Sequence, residues 1–266
     1  MPRLWSNLLA LVPYIHKEKK QKRSLKISNY VDMTNILPPD ATVVLGTAYG
    51  GWTLPKDHRL SEASICYLAG AGEDISFDCE LATRFKSTVR ILDPTPRAVE
   101  HFREFQKAVQ KGTQFPINNS ETEFYEIDLD SFQRLTFLGY GLADIDGEMN
   151  FFSPKDPNHA SYSSLNLQHT DTCISVPCHR LSSIMKENND TVVDLLKMDI
   201  EGGEYMVIRD LVSTRTFPRL LLIEFDEVHS ALDSEAERRI ATHLGLLADA
   251  GYKCVAINGC NATFVR

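Results

Sequence analysis

The chain has 266 residues, 43% of them hydrophobic, and is long enough to bury the core of one large domain. Its net charge is −8, but residues 1–30 carry seven Lys or Arg side chains against one acid, Glu18, which leaves −14 on the remainder. An acidic body lacks the positive field that a phosphate backbone requires, so nucleic acid is excluded as the expected partner.

The chain begins with a basic arm that contains a short apolar run. This run, Leu4 to Val12, stops before Pro13 and is shorter than the ~20 residues that span a bilayer. No small-residue cleavage pattern follows it. We expect residues 1–48 to form an arm that is mobile or serves targeting, and residues 49–266 to form the folded domain. A cytoplasmic location is expected, with secretion or membrane association through the arm as the alternative. The sequence carries no indication of oligomeric state.

Apolar runs then alternate with helical periods, which predicts an α/β fold with a parallel sheet and helices on both of its faces. "SICYLAG" is predicted to be the first buried strand, and a helix follows it. "TVRILD" is predicted to be the second strand. The next helix has Thr95 as its cap and Pro96 in its first turn, and Gly112 ends it.

The second half of the chain repeats this alternation after an irregular stretch. "LTFLGYGLAD" and "GEMNFF" are predicted strands around the Asp146-Gly147 turn. "VVDLLKM" and "RLLLIEF" are strands that precede helices from about Gly203 to Leu211 and from about Ser234 to Ala250. "YKCVAI" and "ATFV" flank Asn258-Gly259 and predict a C-terminal antiparallel hairpin. A mostly parallel Rossmann-like sheet that ends in such a hairpin is the architecture of class I methyltransferases.

A glycine loop, "YLAGAGEDISFD", lies between the first strand and its helix. Gly70, Ala71 and Gly72 supply two of the three glycines of a dinucleotide-binding turn, and Ile75 stands where the third would be. The loop therefore favours a close backbone approach to a ligand but not the pyrophosphate contact of a nicotinamide cofactor. A nicotinamide oxidoreductase is disfavoured for this reason and because of the terminal hairpin.

The acids around this loop indicate which ligand it takes. Glu73 and Asp74 would repel a phosphate at the helix start, so a ligand with an ammonium group and no phosphate fits better. Asp93 ends the second strand, 21 positions after Gly72, and is placed to accept hydrogen bonds from two ribose hydroxyls. An adenosyl ligand without phosphate is predicted, and S-adenosylmethionine is the expected cofactor.

The segment "KMDIEGGE" places further acids after the strand "VVDLLKM". In an extended segment Asp199 and Glu201 would face the same side, at the strand end where a methyl donor would lie. Asp199 is a candidate to take up the acceptor proton or to bind the ammonium group of the cofactor, and Glu201 to orient the acceptor or a metal. Glu204 is expected to stabilise a helix N-terminus.

Acids and one histidine follow two neighbouring predicted strands and could converge at one edge of the sheet. Carboxylates there are ligands that Mg²⁺ accepts. The simpler interpretation is that they cap helices or form salt bridges, so Mg²⁺ is kept as an alternative and no metal ligand is predicted. The residues are Asp199, Glu201, Glu224, Asp226 and His229.

A polar stretch of the irregular region, "SPKDPNHASYSSLNLQHTD", is long enough to be a substrate lid. It contains His159 and His169, either of which is an alternative base. A histidine in a polar loop is more often simply solvated, so neither is included among the predicted catalytic residues.

Four segments together resemble the FkbM-type S-adenosylmethionine-dependent methyltransferases, in particular their eukaryotic methyltransferase-like branch. They are "GAGEDISFDCELATRF", "VRILDPTPRAVEHF", "LLKMDIEGGEYMVI" and "LLLIEF", and the resemblance covers about Tyr49 to Val265. It implies a class I fold, cofactor contacts from the glycine loop and Asp93, and O-methylation of a hydroxyl on a small molecule or glycan. A catalytically silent cofactor-binding interaction domain is the alternative, because fold does not determine function.

Further site residues are considered beside this resemblance. Pro94, Gly141 and Leu142 are included among the candidate cofactor contacts. The family often ends its fifth strand with Glu-x-His, whereas Glu224 is followed here by Phe and Asp, and the histidine is displaced to position 229. His229 is retained as the third candidate catalytic residue beside Asp199 and Glu201.

Overall fold

The structure, a computed structural model, describes residues 25–156 and 161–266. None of the helices in these ranges combines the length and the hydropathy of a membrane span. The strands, in chain order, are β1 (Thr42–Leu45), β2 (Trp52–Pro55), β3 (Ile65–Ala69), β4 (Thr88–Leu92), β5 (Leu135–Leu138), β6 (Gly141–Leu142), β7 (Gly147–Phe152), β8 (Cys173–His179), β9 (Leu195–Met198), β10 (Leu220–Glu224), β11 (Lys253–Asn258) and β12 (Asn261–Val265). The α-helices are α1 (Ser76–Phe85), α2 (Pro96–Lys111), α3 (Leu129–Phe132), α4 (Leu181–Asn188), α5 (Glu204–Thr214) and α6 (Ala236–Asp249).

Seven strands form the central sheet in the order β5-β4-β3-β9-β10-β12-β11. All of them run parallel except β12, which pairs antiparallel with both β10 and β11. The predicted α/β fold with a C-terminal antiparallel hairpin is therefore confirmed. The chain leaves β3 towards β4 on one side and reaches β9 on the other, and the crevice at such a switch point is where open α/β sheets bind ligands.

Both faces of the sheet are buried, which explains why its strands are almost continuously apolar. Along β3, Cys66 and Leu68 pack into the core beneath α1 and α2, whereas Tyr67 and Ala69 pack into the core beneath α4, α5 and α6. The cap prediction for α2 holds at Gly112, which ends the helix with a φ of 66°. The helices thus fix the sheet from two sides and leave the strand ends open for a site.

The predicted boundary at Tyr49 falls inside a packed region. Ile27 is 1% exposed and belongs to the core under α5 and α6, and the backbone N–H of Leu37 donates to the carbonyl oxygen of Val255 at 2.9 Å. The hairpin of β1 and β2 covers the other core with the fully buried Leu45. Residues 25–48 are therefore part of the fold, because their apolar side chains close the cores. The rest of the predicted arm, residues 1–24, lies outside the described residues.

A small second sheet, which the sequence did not predict, occupies the irregular middle region. β6 pairs parallel with β8, and β7 pairs antiparallel with β8, in the order β6-β8-β7. Gly141 at the start of β6 packs closely on this sheet, since a Cβ there would lie 2.8 Å from Cys178 Sγ. The sheet stands beside the open strand ends and becomes one wall of the site.

Candidate active site

A cavity of about 560 Å³ lies at the carboxyl ends of β3, β4, β9 and β10. Small-molecule sites are commonly ~300 to 1,000 Å³, and they occupy this position in α/β sheets. Eleven of the twelve residues predicted for the site line the cavity: Gly70, Ala71, Gly72, Glu73, Asp74, Asp93, Pro94, Gly141, Leu142, Asp199 and Glu201. The twelfth, His229, is exposed and is not among the lining residues.

The glycine loop approaches β9 so closely that one glycine has no substitute. Gly70 has a φ of 85°, and a Cβ on it would lie 1.7 Å from the backbone oxygen of Asp199. Gly72, with a φ of 52°, differs because a Cβ on it would meet nothing within 4 Å. Gly70 therefore permits the packing of the loop on the sheet, whereas Gly72 leaves open space at the cavity wall.

Asp93 holds the glycine loop in place with its carboxylate. One oxygen accepts the backbone N–H groups of Ala71 and Gly72 at 2.9 and 3.0 Å. The other accepts the backbone N–H and the hydroxyl of Thr95 at 2.8 and 2.6 Å. Asp93 is 5% exposed, so these charge-assisted hydrogen bonds are shielded from water. Its predicted contact with a ribose stays a prediction, and the structure adds a loop-holding role.

The two acids of the loop are likewise engaged. Glu73 forms an ion pair with Arg97 at 2.5 Å. Asp74 accepts hydrogen bonds from the Thr47 hydroxyl at 2.6 Å and from the Asn118 amide at 3.1 Å. These contacts keep the two carboxylates at the N-terminus of α1, where they would repel a phosphate group.

The contact between Asp74 and Thr47 attaches the loop between β1 and β2 to the cavity. Gly50 of this loop packs so closely that a Cβ on it would lie 2.6 Å from the Asp74 carboxylate. Tyr49 lines the cavity and is nevertheless 83% exposed. Local sequence patterns did not mark Tyr49 as a site residue, because this loop precedes the periodic region.

Lys197 is a buried cation in the middle of the sheet. It lies on β9, is 6% exposed, and donates from Nζ to the Gly70 carbonyl oxygen at 2.5 Å. Its Nζ lies 3.3 Å from Asp199 Oδ2 and 5.8 Å from the centre of the Trp52 ring. Burial by itself lowers the pKa of Lys197, but the carboxylates of Asp199 and Asp78 outweigh it, and the net shift is upward. Trp52 is itself 3% exposed and packs in the core.

Glu224 at the end of β10 completes the acidic end of the cavity. Burial, followed by the charge of Asp199, raises the pKa of Glu224 to about 7. Its Oε1 accepts a hydrogen bond from the thiol of Cys260 at 2.9 Å. A carboxyl group that titrates near neutral pH in a cleft is typical of a functional site.

Below the cavity, two more carboxyls bind the turn between β9 and α5. Glu204 Oε1 and Asp226 Oδ2 both accept the backbone N–H of Gly202, each at 3.1 Å. Burial raises the pKa of Glu204 to about 8, and burial with the charge of Glu204 raises the pKa of Asp226 well above its ordinary range. Neither side chain lines the cavity. Glu204 does begin α5, but its carboxyl binds the turn before the helix, and the expected charge–dipole stabilisation stays a prediction.

The prediction that Asp199 and Glu201 lie in an extended segment is wrong. Glu201 has a φ of 52° and Gly202 a φ of 93°, so the chain makes a left-handed turn there. The Gly202 turn is packed, since a Cβ there would lie 3.0 Å from the side chain of Leu165. Both acids still line the cavity, but the turn rather than strand alternation brings them there.

The described part of the predicted lid contributes to the wall of the cavity. Ser161, Tyr162 and Ser164 line the cavity. His169 does not, and His159 lies outside the described residues. In residues 25–156 and 161–266, no group of three or more His, Cys, Asp or Glu side chains is arranged to hold a metal ion.

Sequence patterns contained a signal for one residue that the sequence analysis missed. Lys197 interrupts an otherwise apolar strand, and a lysine in a buried strand is rare unless it is paired. Cys260 and Asn261 line the cavity from the hairpin that was predicted as a fold feature only. Nothing in the local sequence marks these two, because only the return of β12 beside β10 brings them to the site.

Comparison with known proteins adds one match. The sequence profile of the methyltransferase FkbM domain matches residues 69–254. No curated protein and no solved structure matches the chain. The match includes the glycine loop, Asp93 and the "KMDIEGGE" segment. The loop between β1 and β2, which forms another part of the cavity wall, lies outside the matched range.

Proposed function

Because this chain belongs to the FkbM methyltransferase family, we propose that it transfers the methyl group of S-adenosylmethionine to a hydroxyl of a small molecule or glycan. The observation that carries the proposal is the cavity at the switch point between β3 and β9. One end of it is lined by the glycine loop with Glu73 and Asp74, and the other by the carboxylates of Asp199, Glu201 and Glu224. A positively charged donor without phosphate suits both ends.

The residues at the loop end fit this cofactor. The space in front of Gly72 is open, and the Asp93 carboxylate holds the backbone of the loop in one conformation. Pro94, Gly141 and Leu142 add apolar surface at the same end of the cavity. We expect Gly70 to Gly72, Asp93 and these three residues to hold the adenosyl part, and the carboxylates beyond them to attract its positive charges.

Bound S-adenosylmethionine supplies an electrophilic methyl group on a positively charged sulfur. The chain must then hold the acceptor oxygen in line with that methyl group and receive the hydroxyl proton. Asp199 is the proposed base, because its carboxylate lines the cavity and Lys197 lies beside it. Glu201 orients the hydroxyl from the neighbouring turn. Asp199 would receive the hydroxyl proton while the oxygen bonds to the methyl carbon and the carbon–sulfur bond breaks, which leaves the sulfur as a neutral thioether.

Two measurements test the proposal. Calorimetric titration of the purified protein should give saturable binding of S-adenosylmethionine and none of NAD. Incubation of the protein with methyl-deuterated cofactor and fractionated cell extract should then add one deuterated methyl group to an extract component, on oxygen as judged by NMR. Asp199→Asn serves as the matched control and should label that component about a hundredfold more slowly.

The outcomes separate the function classes. Binding without a labelled product in any fraction would favour a catalytically silent interaction domain. A product methylated on nitrogen or carbon would keep the methyltransferase and reject the hydroxyl acceptor. Absence of cofactor binding would reject the proposal as a whole.

A further inference from the structure

Lys197 is the least expected charge in the central sheet. Its neighbours on β9, Leu196 and Met198, are fully buried, and Lys197 itself is 6% exposed. An ammonium group is costly to bury unless partners compensate for the lost water. The position of Lys197 therefore calls for an explanation that packing alone does not supply.

Its partners come from both ends of the cavity. The ammonium donates to the carbonyl oxygen of Gly70 in the glycine loop, at 2.5 Å. It also lies 3.3 Å from the Asp199 carboxylate, whose side chain is 35% exposed towards the cavity. The face of Trp52, 5.8 Å away on β2, closes the third side. One side chain thus connects the loop that would hold the cofactor to the proposed base.

The charges that face Lys197 come from three elements and are all negative. Asp199 follows β9, Glu224 ends β10, and Asp78 lies on α1. Asp78 is 4% exposed, and its Oδ1 has no hydrogen-bond partner among the described residues. Lys197 is therefore the ammonium that offsets three carboxyl groups packed from different sides.

We propose that Lys197 is a positioning residue for methyl transfer, whose ammonium fastens the glycine loop to β9 and holds the Asp199 carboxylate in place at the cavity. This inference rests on the proposed function, because it needs Asp199 as the base and the loop as the cofactor site. Lys197 itself does not take the acceptor proton. Its charge favours the ionised forms of the neighbouring Asp78 and Glu224 carboxyls.

If the Lys197 ammonium is removed, the carboxyl groups of Asp78 and Glu224 take up protons. Lys197 lowers the pKa values of Asp78 and Glu224, which burial raises to about 7 in both cases. Without the ammonium, both pKa values rise further, and the acidic end carries protons at neutral pH. Of the two carboxyls only Glu224 lines the cavity, so a positively charged cofactor must displace its proton, and the affinity becomes more dependent on pH than in the native protein.

The decisive experiment compares S-adenosylmethionine binding by calorimetry at pH 6.5 and pH 8.5. Lys197→Met removes the charge at similar side-chain length, and Lys197→Gln removes it while retaining a donor for the Gly70 oxygen. Lys253→Met, at an exposed position on β11, is the matched control. Both Lys197 variants should bind at least tenfold more weakly than the native protein at pH 6.5, and the loss should shrink to about threefold at pH 8.5. The control should stay within twofold.

A loss of equal size at both pH values would show a purely structural role and overturn the proposal. Native affinity in Lys197→Gln would overturn it too, since the hydrogen bond would then suffice without the charge. Titration of the Glu224 carboxyl by ¹³C NMR in ligand-free protein gives an independent readout. Its midpoint should rise by about one unit or more in the variants. This result decides the inference even if the native protein fails to bind the cofactor, which would reject the proposed function instead.

Discussion

At the carboxyl ends of β3 and β4 the acids of the cavity are satisfied by protein donors, whereas at the ends of β9 and β10 they crowd around one ammonium. Asp93 accepts four hydrogen bonds from Ala71, Gly72 and Thr95. Glu224, by contrast, has a pKa raised to about 7 by burial and by Asp199. Carboxyl groups thus hold the backbone in place at one end of the cavity, and at the other end Glu224 titrates near neutral pH.

The role of a carboxylate therefore depends on whether backbone-fixed donors or other acids surround it. Donors fixed by the backbone stabilise a negative charge and make the group part of the scaffold. Burial beside other acids destabilises the charge and brings proton exchange into the neutral range. We expect substitutions at the first end to change shape and binding, and substitutions at the second to change turnover and pH dependence.

At the ends of β3 and β4, the largest loss of stability is expected from substitution of Gly70. Gly70→Ala should lower the free energy of unfolding by about 3 kcal/mol, because a Cβ there collides with the Asp199 backbone at a φ of 85°. Gly72→Ala is the control and should cost about 1 kcal/mol, since its Cβ meets open space. Urea denaturation measures both. Equal losses would mean that the loop does not approach β9 as described.

At the ends of β9 and β10, substitutions should lower turnover and leave folding unchanged. Asp199→Asn and Glu201→Gln should each lower kcat about a hundredfold or more, a typical loss for a general base or its partner. Their melting temperatures should stay near the native value. Turnover is measured on the acceptor that the extract screen identifies. Near-normal turnover in both folded variants would show that Asp199 and Glu201 only connect β9 to α5 and have no role in catalysis.

Asp93 holds the glycine loop in place, so its substitution should affect cofactor binding. Asp93→Ala should weaken S-adenosylmethionine binding at least tenfold, since hydrogen bonds to a charged group contribute ~1.5 to 3 kcal/mol and the loop amides lose their acceptor. The dissociation constant should change equally at pH 6.5 and pH 8.5, unlike that of the Lys197 variants. An unchanged constant in a folded variant would contradict both the loop-holding and the ribose-binding roles.

Beneath the titrating end, Glu204 should make stability depend on pH. Its pKa in the folded protein, about 8, exceeds its ordinary value of 4.5, so the native state retains a proton that the unfolded chain has lost. The stabilisation is complete below about pH 4.5 and is lost as pH rises towards about 8. Glu204→Gln cannot lose this proton and should be more stable than the native protein by about 1 kcal/mol at pH 8.5.

The same variant should show no gain at pH 4.5, where the native glutamate is protonated. Urea unfolding at the two pH values measures the difference. Parallel curves of stability against pH would show that Glu204 does not titrate in this range.

The smallest effect concerns metal. We expect EDTA, followed by added Mg²⁺, to change turnover by less than twofold. The Lys197 ammonium already supplies a positive charge among the carboxylates, and the described residues provide no set of three metal ligands. A loss of activity that Mg²⁺ restores would move Asp199 and Glu201 from proton transfer to metal binding.

Local patterns were sufficient for much of this molecule. The apolar runs and helical periods predicted β3, β4, β9 and β10 as strands of a parallel sheet, and Asn258-Gly259 predicted the reversed strand β12. The glycine loop and the acids after β9 were predicted to meet, because carboxyl ends of parallel strands share one edge. Such features depend on residues close together in sequence and on rules that apply to every sheet of this class.

The sequence by itself therefore determined the fold class, the family and the edge of the sheet where the site lies. Only the tertiary structure decided that residues 25–48 close the cores, that His229 stays outside the cavity and that a turn presents Glu201. It also decided that Asp93 is held by four protein donors and that Lys197 offsets the carboxyls around it. The physical reason is that burial and ionisation depend on neighbours from distant segments, which no local pattern contains.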